Sequence, residues 1–483
     1  MRAKELEHKQ IMELKNKSVT VMGLGRFGGG VGVARWLAEQ GALVTVTDTA
    51  KAEELAESVG KLAGLPIRYK LGGHDVADFL PPQCDLLVTN PAVDKAKSEH
   101  VQAAIAAGVP LTTEMNLFVE RCPARTIGIT GSVGKSTTTM LTYLAVRAAT
   151  AQWPDRPNVY LGGNIGKSLL SELAAMRPQD IVVLELSSFM LEDTPAANSG
   201  FGWSPNIALV TNVFPNHLDR HNTMAELSAA KQNIFRFQSP DDILIVNADH
   251  ELVSRWTHLA KGKTAKFTAR GPGKIDLLMP GEHNQANARA AMAVVAALTE
   301  RFGQPVDRAA ALAAMGGFRG LEHRLELVHT ATAQGEGGPR EVRFYNDSKA
   351  TTPESAMTAL ESFAPGTAIF IIGGYDKHAD MSTFERMLAQ RAAGVLGIGQ
   401  TGAAMVRDVE ELGTWQGRAE YTETLEKAVS RAWEWCGTQR EWAGELAVVL
   451  SPGCASWGQF QNYERRGERF VVLVKGVTSG SRT

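Results

Sequence analysis

An α/β fold in three successive domains is what this sequence predicts, and three observations predict it. At 483 residues the chain has length for about three domains. Short apolar runs alternate with helix-patterned stretches from end to end, the rhythm of mainly parallel sheets wrapped by helices. Two of those runs open into glycine-rich turns that feed straight into a helix, Gly23–Gly28 and Gly128–Gly134. The divisions are expected at residues 1–115, 116–321 and 322–483: a Rossmann-like N-terminal domain, a central P-loop α/β domain with a mainly parallel sheet, and a Rossmann-like C-terminal domain.

Composition sets the outer limits. A hydrophobic share of 44% and a charged share of 21% are ordinary for a globular protein. The net charge of −2 offers no basic surface to nucleic acid, so anionic ligands would have to be met by local sites. Cys84, Cys122, Cys436 and Cys454 are scattered, with no C-x-x-C, so neither a zinc site nor a disulfide framework is signalled. The first residues are charged and lack the apolar core of a signal peptide. No apolar run approaches a membrane span. A cytoplasmic chain, binding no nucleic acid and not inserted in a membrane, is expected.

In the first region, Val19-Thr-Val-Met-Gly-Leu-Gly-Arg-Phe-Gly28 reads as a strand running into G-x-G-x-x-G. A helix over Val33–Gln40 and a strand over Ala42–Thr47, ending at Asp48, should follow. Read literally this is a dinucleotide fingerprint with its acidic residue. The physics asks for less. Glycines let a phosphate approach the backbone, and Asp48 can accept from a sugar or a base, so any nucleotide diphosphate would suit. A third strand, Asp85–Asn90, ends at Pro91, and the region closes near Glu114.

The middle region opens on Gly128-Ile-Thr-Gly-Ser-Val-Gly-Lys-Ser-Thr137, between an apolar run and a helix expected over Thr138–Ala149. The turn at Gly131, Ser132 and Gly134 would face an anion with backbone N–H groups. Lys135 adds a point charge, and the hydroxyl of Ser136 or Thr137 can hold Mg²⁺. The spacing is G-x-x-G-x-x-G-K-S rather than the commoner G-x-x-x-x-G-K-S. ATP binding is the expectation.

Strands are expected at Asp180–Leu186, Ile207–Val213 and Asp242–Val246. Glu185 is an acid inside an apolar strand, His217 follows directly on a strand, and Lys231 lies fourteen residues later. Singly they read as a paired acid, a loop histidine and a surface lysine. Together, in a chain that binds ATP, they suggest ligands around the γ-phosphate. Mg²⁺ prefers oxygen donors, however, and a cationic lysine cannot ligate it. Gly281-Glu-His-Asn-Gln-Ala-Asn287 precedes an Ala-rich helix expected over Ala288–Thr299, where its asparagines could cap the helix or face an adenine edge.

In the third region, Gly320–Glu326 looks like a junction and Ala331–Arg340 like a polar hairpin tip. Strands are expected at Val342–Tyr345, Ala368–Ile372, Val395–Ile398 and Leu446–Leu450. Each of the polar loops Asn346–Thr351, Gly373–Lys377 and Ser451–Trp457 follows a strand's carboxyl end, where a shared crevice would form.

With these residues in view the chain resembles one family, the Mur ligases of peptidoglycan assembly, and within it the branch that adds glutamate. The likeness runs from Val19 to Phe470. It is carried by Thr-Gly-x-x-Gly-Lys-Ser-Thr, Leu-Glu-Leu-Ser-Ser-Phe, His-Leu-Asp-Arg-His with the later Lys231, Gly-x-His-Asn-x-x-Asn, Asn-Asp-Ser-Lys-Ala-Thr, and Leu-Ser-Pro-x-Cys-Ala-Ser with Asn-Tyr-Glu-Arg-Arg-Gly. The resemblance implies a UDP domain, a central ATPase and a mobile C-terminal domain that brings the amino acid. It implies the substrates UDP-N-acetylmuramoyl-L-alanine, D-glutamate and ATP, with Mg²⁺, handled by a monomer. Gly25, Arg26, Phe27, Asp48, Thr49, Asn90, Asn164 and Ser187 would meet the UDP substrate. Gly131, Ser132, Gly134, Lys135, Ser136, Thr137, Asn287, Arg324 and Asp347 would meet ATP. Lys349, Thr351, Lys377, Ser456 and Tyr463 match positions that hold glutamate's carboxylates. The family also resolves the lysine mismatch, because Lys231 would be carbamylated by CO₂ into a carboxylate-like ligand. Glu185 and His217 would then serve one Mg²⁺ and Ser136 the nucleotide's own, with Lys135, Glu185, His217 and Lys231 as the catalytic group.

Four places depart from the family pattern. Val133 replaces a common polar residue, Met190 a common glutamine and Tyr463 the usual phenylalanine, and Gly-Gly-Tyr-Asp-Lys-His replaces Gly-Gly-Asp-Gly-Lys. A ligase for L-glutamate or another amino acid stays open. So do a nicotinamide oxidoreductase built on Gly23, Gly25 and Gly28, and a non-catalytic ATP-binding regulator.

Overall fold

A computed structural model of the chain describes residues 12–25, 28–194, 202–216, 218–334, 338–412, 417–438 and 445–479. The chain divides into two compact units, Met1–Gly271 with Asn287–Ala314, and Pro272–Ala286 with Met315–Thr483. The first unit carries two sheets and the second carries one, and the architecture is α/β throughout.

The first sheet joins β1 (Ser18–Met22), β2 (Leu43–Asp48), β3 (Ile67–Leu71), β4 (Leu86–Thr89) and β5 (Leu111–Thr112) in the order β3-β2-β1-β4-β5, all parallel. The order reverses beside β1, so the loops after β1 and β4 leave on either side of one crevice. A Cβ on Gly23 would lie 3.4 Å from the Cβ of Asn90, which shows how closely those loops approach.

The second sheet joins β6 (Arg125–Thr130), β7 (Val159–Gly163), β8 (Ile181–Glu185), β9 (Ile207–Val210), β10 (Ile243–Asn247) and β11 (Lys263–Phe267) in the order β11-β10-β9-β6-β8-β7, again all parallel. Its central strands are apolar on both faces because helices cover both. Ile127, Ile129, Val183 and Leu209 pack with Ala290, Val294 and Leu298 of the helix Glu282–Phe302. Val182, Leu184, Ala208 and Val210 belong to the opposite core with Leu191, Leu227 and Ile234. Each of the valine, leucine and isoleucine side chains contributes roughly 1.5–3 kcal/mol on burial. That burial fixes the register, and the register fixes which residues stand at the strand ends.

The second unit joins β12 (Glu326–Ala333), β13 (Arg340–Asn346), β14 (Ala368–Ile372), β15 (Gly394–Ile398), β16 (Arg418–Glu423) and β17 (Leu446–Leu450) in the order β12-β13-β17-β14-β15-β16. Only the β12–β13 hairpin is antiparallel, and β13, β17 and β14 stand side by side. Their three following loops therefore share one edge.

Sequence reading passes over β3, β5, β7, β11 and β16, and sees β12 only as one arm of a hairpin. The reason is physical. β3, β11 and β16 are sheet edges with polar, partly exposed residues (Ile67-Arg-Tyr-Lys-Leu71, for instance), while β5 spans only two residues. Three helices also begin earlier than patterning suggests. The first starts at Gly29 rather than Val33, the second at Lys135 rather than Thr138, and the third at Glu282 rather than Ala288, so Asn284 and Asn287 lie inside a helix instead of preceding it.

Candidate active site

The phosphate loop is tied down on both sides of β6. Thr130 Oγ1 donates to the carbonyl of Leu186 beyond β8 at 2.7 Å. Gly131 passes so close to the residue after β9 that a Cβ would sit 2.0 Å from Thr211 Oγ1. Gly134 then takes φ +80°, a left-handed conformation glycine adopts without strain, and caps the helix Lys135–Ala149. A Cβ there would meet Asn287 Oδ1 at 2.7 Å, and that oxygen accepts from Thr138 Oγ1 at 3.0 Å. Lys135 Nζ donates to the carbonyl of Ser132 at 3.1 Å, folding its charge back over the loop. Ser136 is buried and Thr137 half-buried, both in the helix's first turn. A helix N-terminus with a lysine above it is an anion cradle.

One residue of this cradle escapes sequence reading. Asn212 Oδ1 accepts the backbone N–H of Ser132 at 3.0 Å and of Val133 at 2.9 Å, while its Nδ2 donates to the carbonyl of Val133 at 3.0 Å. Asn212 lies in the apolar run Ile207–Val213, and only its place beside β6 reveals the contact.

Glu185 ends β8 next to the loop and is 1% exposed. Its Oε1 accepts from Asn164 Nδ2 at 3.1 Å, and the backbone N–H of Asn164 donates to the carbonyl of Glu185 at 2.8 Å. Its Oε2 is buried and has no hydrogen-bond partner among the described residues. An orphaned carboxylate oxygen costs free energy unless a cation or water meets it. Lys231, on the helix Met224–Arg236, is 3% exposed, and its Nζ donates to the carbonyl of Gly131 at 2.8 Å. Burial, together with the nearby Lys135 ammonium, pushes its pKa down to about 7. The donor set, a bare carboxylate oxygen beside a phosphate cradle, fits a hard cation such as Mg²⁺. Among the described residues no three His, Cys, Asp or Glu gather into a ready metal cluster.

In the first sheet, Asp48 acts on its own loop. Its Oδ2 accepts the N–H groups of Leu24 at 2.8 Å and Gly25 at 3.0 Å, and its Oδ1 accepts that of Ala50 at 2.9 Å. The acid at the end of β2 thus holds the glycine turn after β1 in shape. Asn90, after β4, turns its own chain by accepting from the N–H of Ala92 at 2.9 Å. Thr49 is exposed beside Asp48, and Ser187 caps the helix Ser188–Asp193. Arg26, Phe27 and His217 lie outside the described residues.

The second unit gathers the remaining expected residues at the shared edge of β13, β17 and β14. Asp347 Oδ1 accepts the N–H of Leu325 at 3.1 Å, and Oδ2 accepts from Ser451 Oγ at 2.7 Å. Burial raises the Asp347 carboxyl to about 7. Arg324 sits between His323 (φ +60°) and Leu325 (φ +47°), two left-handed non-glycine residues whose strain these bonds must overcome. Asp347 therefore anchors the turn that presents Arg324. Lys349 Nζ stands 5.2 Å from the Tyr463 ring centre, and Lys377 Nζ stands 4.6 Å from that of Trp457. Ser456 is buried and Thr351 half-buried on adjoining loops. Arg466, 1% exposed, donates to the carbonyls of Ser348 at 2.9 Å and Cys454 at 3.1 Å, tying two of those loops together. Sequence reading gives Arg466 no role.

Residues 17–113 match the Mur ligase MurD-like N-terminal domain, 129–273 the Mur ligase middle domain, and 323–450 the Mur ligase glutamate ligase domain. The chain is 36% identical to the UDP-N-acetylmuramoylalanine–D-glutamate ligase of Roseiflexus sp. (strain RS-1), covering 97% of this chain and 100% of that one. It is 33% identical to the enzyme of the same name from Acetivibrio thermocellus, over 96% and 97% of the two chains. The crystal structure of MurF ligase from Thermotoga maritima in complex with ADP superposes with TM-score 0.51 at 15% identity over 97% of each chain, a likeness of fold alone.

Proposed function

Since the chain belongs to the Mur ligase family, we propose that it is the ATP-dependent ligase that joins D-glutamate to UDP-N-acetylmuramoyl-L-alanine in peptidoglycan precursor synthesis. It works in the cytoplasm as a monomer. Among the described residues no helix is long and apolar enough to cross a membrane. Residues 1–115 take the UDP substrate, 116–321 take ATP and 322–483 bring glutamate.

The observation that carries the reading is the grouping beside the phosphate loop: a Glu185 carboxylate oxygen with no hydrogen-bond partner among the described residues, and a buried lysine whose pKa is pushed down to about 7. A carboxylate does not condense with an amine unaided, because its oxygen is a poor leaving group. ATP remedies this by transferring its γ-phosphoryl group to the L-alanyl carboxylate. The glutamate amine then attacks the acyl phosphate, and the tetrahedral adduct expels phosphate.

The N–H groups from Gly134 to Thr137 and the Lys135 ammonium offset the negative charge gathered there. Lys231, half uncharged near neutral pH, can add to CO₂, release a proton to water and become a carbamate. Mg²⁺ bound by Glu185, His217 and that carbamate, with Ser136 at the nucleotide's ion, would supply further charge neutralisation. Gly25, Arg26, Phe27, Asp48, Thr49, Asn90, Asn164 and Ser187 hold the UDP substrate, and Asn287, Arg324 and Asp347 meet the nucleotide. Lys349, Thr351, Lys377, Ser456 and Tyr463 hold the amino acid's carboxylates.

Phosphate release measured with each substrate omitted in turn tests the proposal. Release should require the UDP substrate, ATP and glutamate together. Release indifferent to the amino acid would contradict it.

A further inference from the structure

Two large aromatic side chains stand exposed at the amino-acid edge of the second unit, Tyr375 at 41% and Trp457 at 53%. Single exposed aromatics are ordinary on protein surfaces. These two are not single. Their ring centres lie 5.6 Å apart at an interplanar angle of 63°, an edge-on contact. They come from different loops, after β14 and after β17, which are pinned to each other. The N–H of Tyr375 donates to the carbonyl of Ala455 at 2.9 Å, and a Cβ on Gly374 would lie 2.3 Å from that same carbonyl oxygen. Over the Trp457 ring, 4.6 Å from its centre, lies Lys377 Nζ. Among the described residues no carboxylate pairs with Lys377; the neighbouring Asp376 instead accepts the N–H of His378 at 2.7 Å.

We infer that Trp457 is a positioning residue for the amino-acid substrate, its ring face fixing the Lys377 ammonium while leaving that ammonium's N–H groups unspent. The inference rests on the reading that Lys377 holds a glutamate carboxylate. A carboxylate partner would fix the lysine by consuming its hydrogen bonds and cancelling its charge. A ring face attracts the cation through its quadrupole and does neither. It also limits the excursions of a flexible four-carbon stem, so less freedom is lost when substrate binds. Tyr375 braces the indole from the adjoining loop. Lys349 Nζ likewise stands over a ring, 5.2 Å from the centre of Tyr463. Tyr375 falls where this chain departs from the Gly-Gly-Asp-Gly-Lys pattern, so the departure supplies an aromatic brace in place of an acid.

Steady-state kinetics on the full chain, with ATP and the UDP substrate saturating, separates the possibilities. Trp457→Leu should raise KM for glutamate about three- to tenfold, the loss of one cation–ring contact, with kcat and KM for the UDP substrate held within about twofold. Trp457→Phe, which keeps a ring face, should stay near the parent. Lys377→Ala should raise KM further, and adding Trp457→Leu to it should change nothing more. A parental KM in Trp457→Leu, equal damage from Leu and Phe, or effects of the two sites that multiply would each overturn the inference. A parental KM in Lys377→Ala would instead contradict the glutamate assignment on which it rests.

Discussion

Lys231 is where residue chemistry and the proposed mechanism meet. Burial, and secondarily Lys135, lowers its pKa to about 7 from the ordinary 10.5. Below that lowered value the folded and unfolded chains both carry the proton, and the whole cost of burying a charge is present. Between it and 10.5 the unfolded chain binds the proton and the folded chain does not, so stability rises with pH across that window. Lys231→Met, which keeps the bulk, should therefore be stabilised relative to the parent at pH 6. Its advantage should shrink by on the order of 2 kcal/mol at pH 9 in CO₂-free denaturant melts. A difference that does not change with pH would mean the parent lysine keeps its proton throughout. The same neutral amine makes carbamate formation feasible. Lys231→Ala should thus lose nearly all turnover and regain part of it with short-chain carboxylic acids. Rescue by none of them would remove the carbamate from the mechanism.

At the scale of elements, the phosphate loop is held by its neighbours as much as by its glycines. The pattern Gly-x-x-Gly-Lys-Ser made the loop legible because every residue of it is local. Asn212 was not legible, because its contacts with Ser132 and Val133 exist only once β9 lies beside β6. Asp48 shows the complementary case. Its position in the fingerprint suggests a ligand contact, and its carboxylate turns out to hold the N–H groups of Leu24, Gly25 and Ala50. The inner strands could be read because burial on both faces writes an unbroken apolar run, as in residues 181–184. The edge strands Ile67–Leu71, Lys263–Phe267 and Arg418–Glu423 could not, since half-exposed positions admit lysine, arginine and glutamate. From Asn212 a prediction follows for the loop as a unit. Asn212→Ala removes the acceptor of the Val133 N–H and leaves the Ser132 N–H only the backbone carbonyl of Asn212, 3.1 Å away, so it should cost about 1 kcal/mol. Calorimetry should show a lowered Tm and ATP binding weakened about tenfold, with the affinity for the UDP substrate unchanged. Unaltered ATP binding would mean that the loop keeps its shape without β9.

Over the whole molecule, three α/β sheets present loops at the carboxyl ends of their strands, and each set of loops carries some of the residues proposed to serve the reaction. The glycine turn follows β1 and Asp48 ends β2; Lys135, Glu185 and Lys231 lie around β6 and β8; Lys349, Lys377 and Ser456 lie beyond β13, β14 and β17. This placement follows from topology, since a parallel sheet has a crevice wherever its strand order reverses. The most direct measurement is the mass of the product formed from UDP-N-acetylmuramoyl-L-alanine, ATP and Mg²⁺ with either glutamate enantiomer. The account predicts a UDP product heavier by one glutamyl residue with D-glutamate, accompanied by ADP and phosphate, and none with L-glutamate. Product from L-glutamate alone, or ATP consumed with the UDP substrate recovered unchanged, would contradict it.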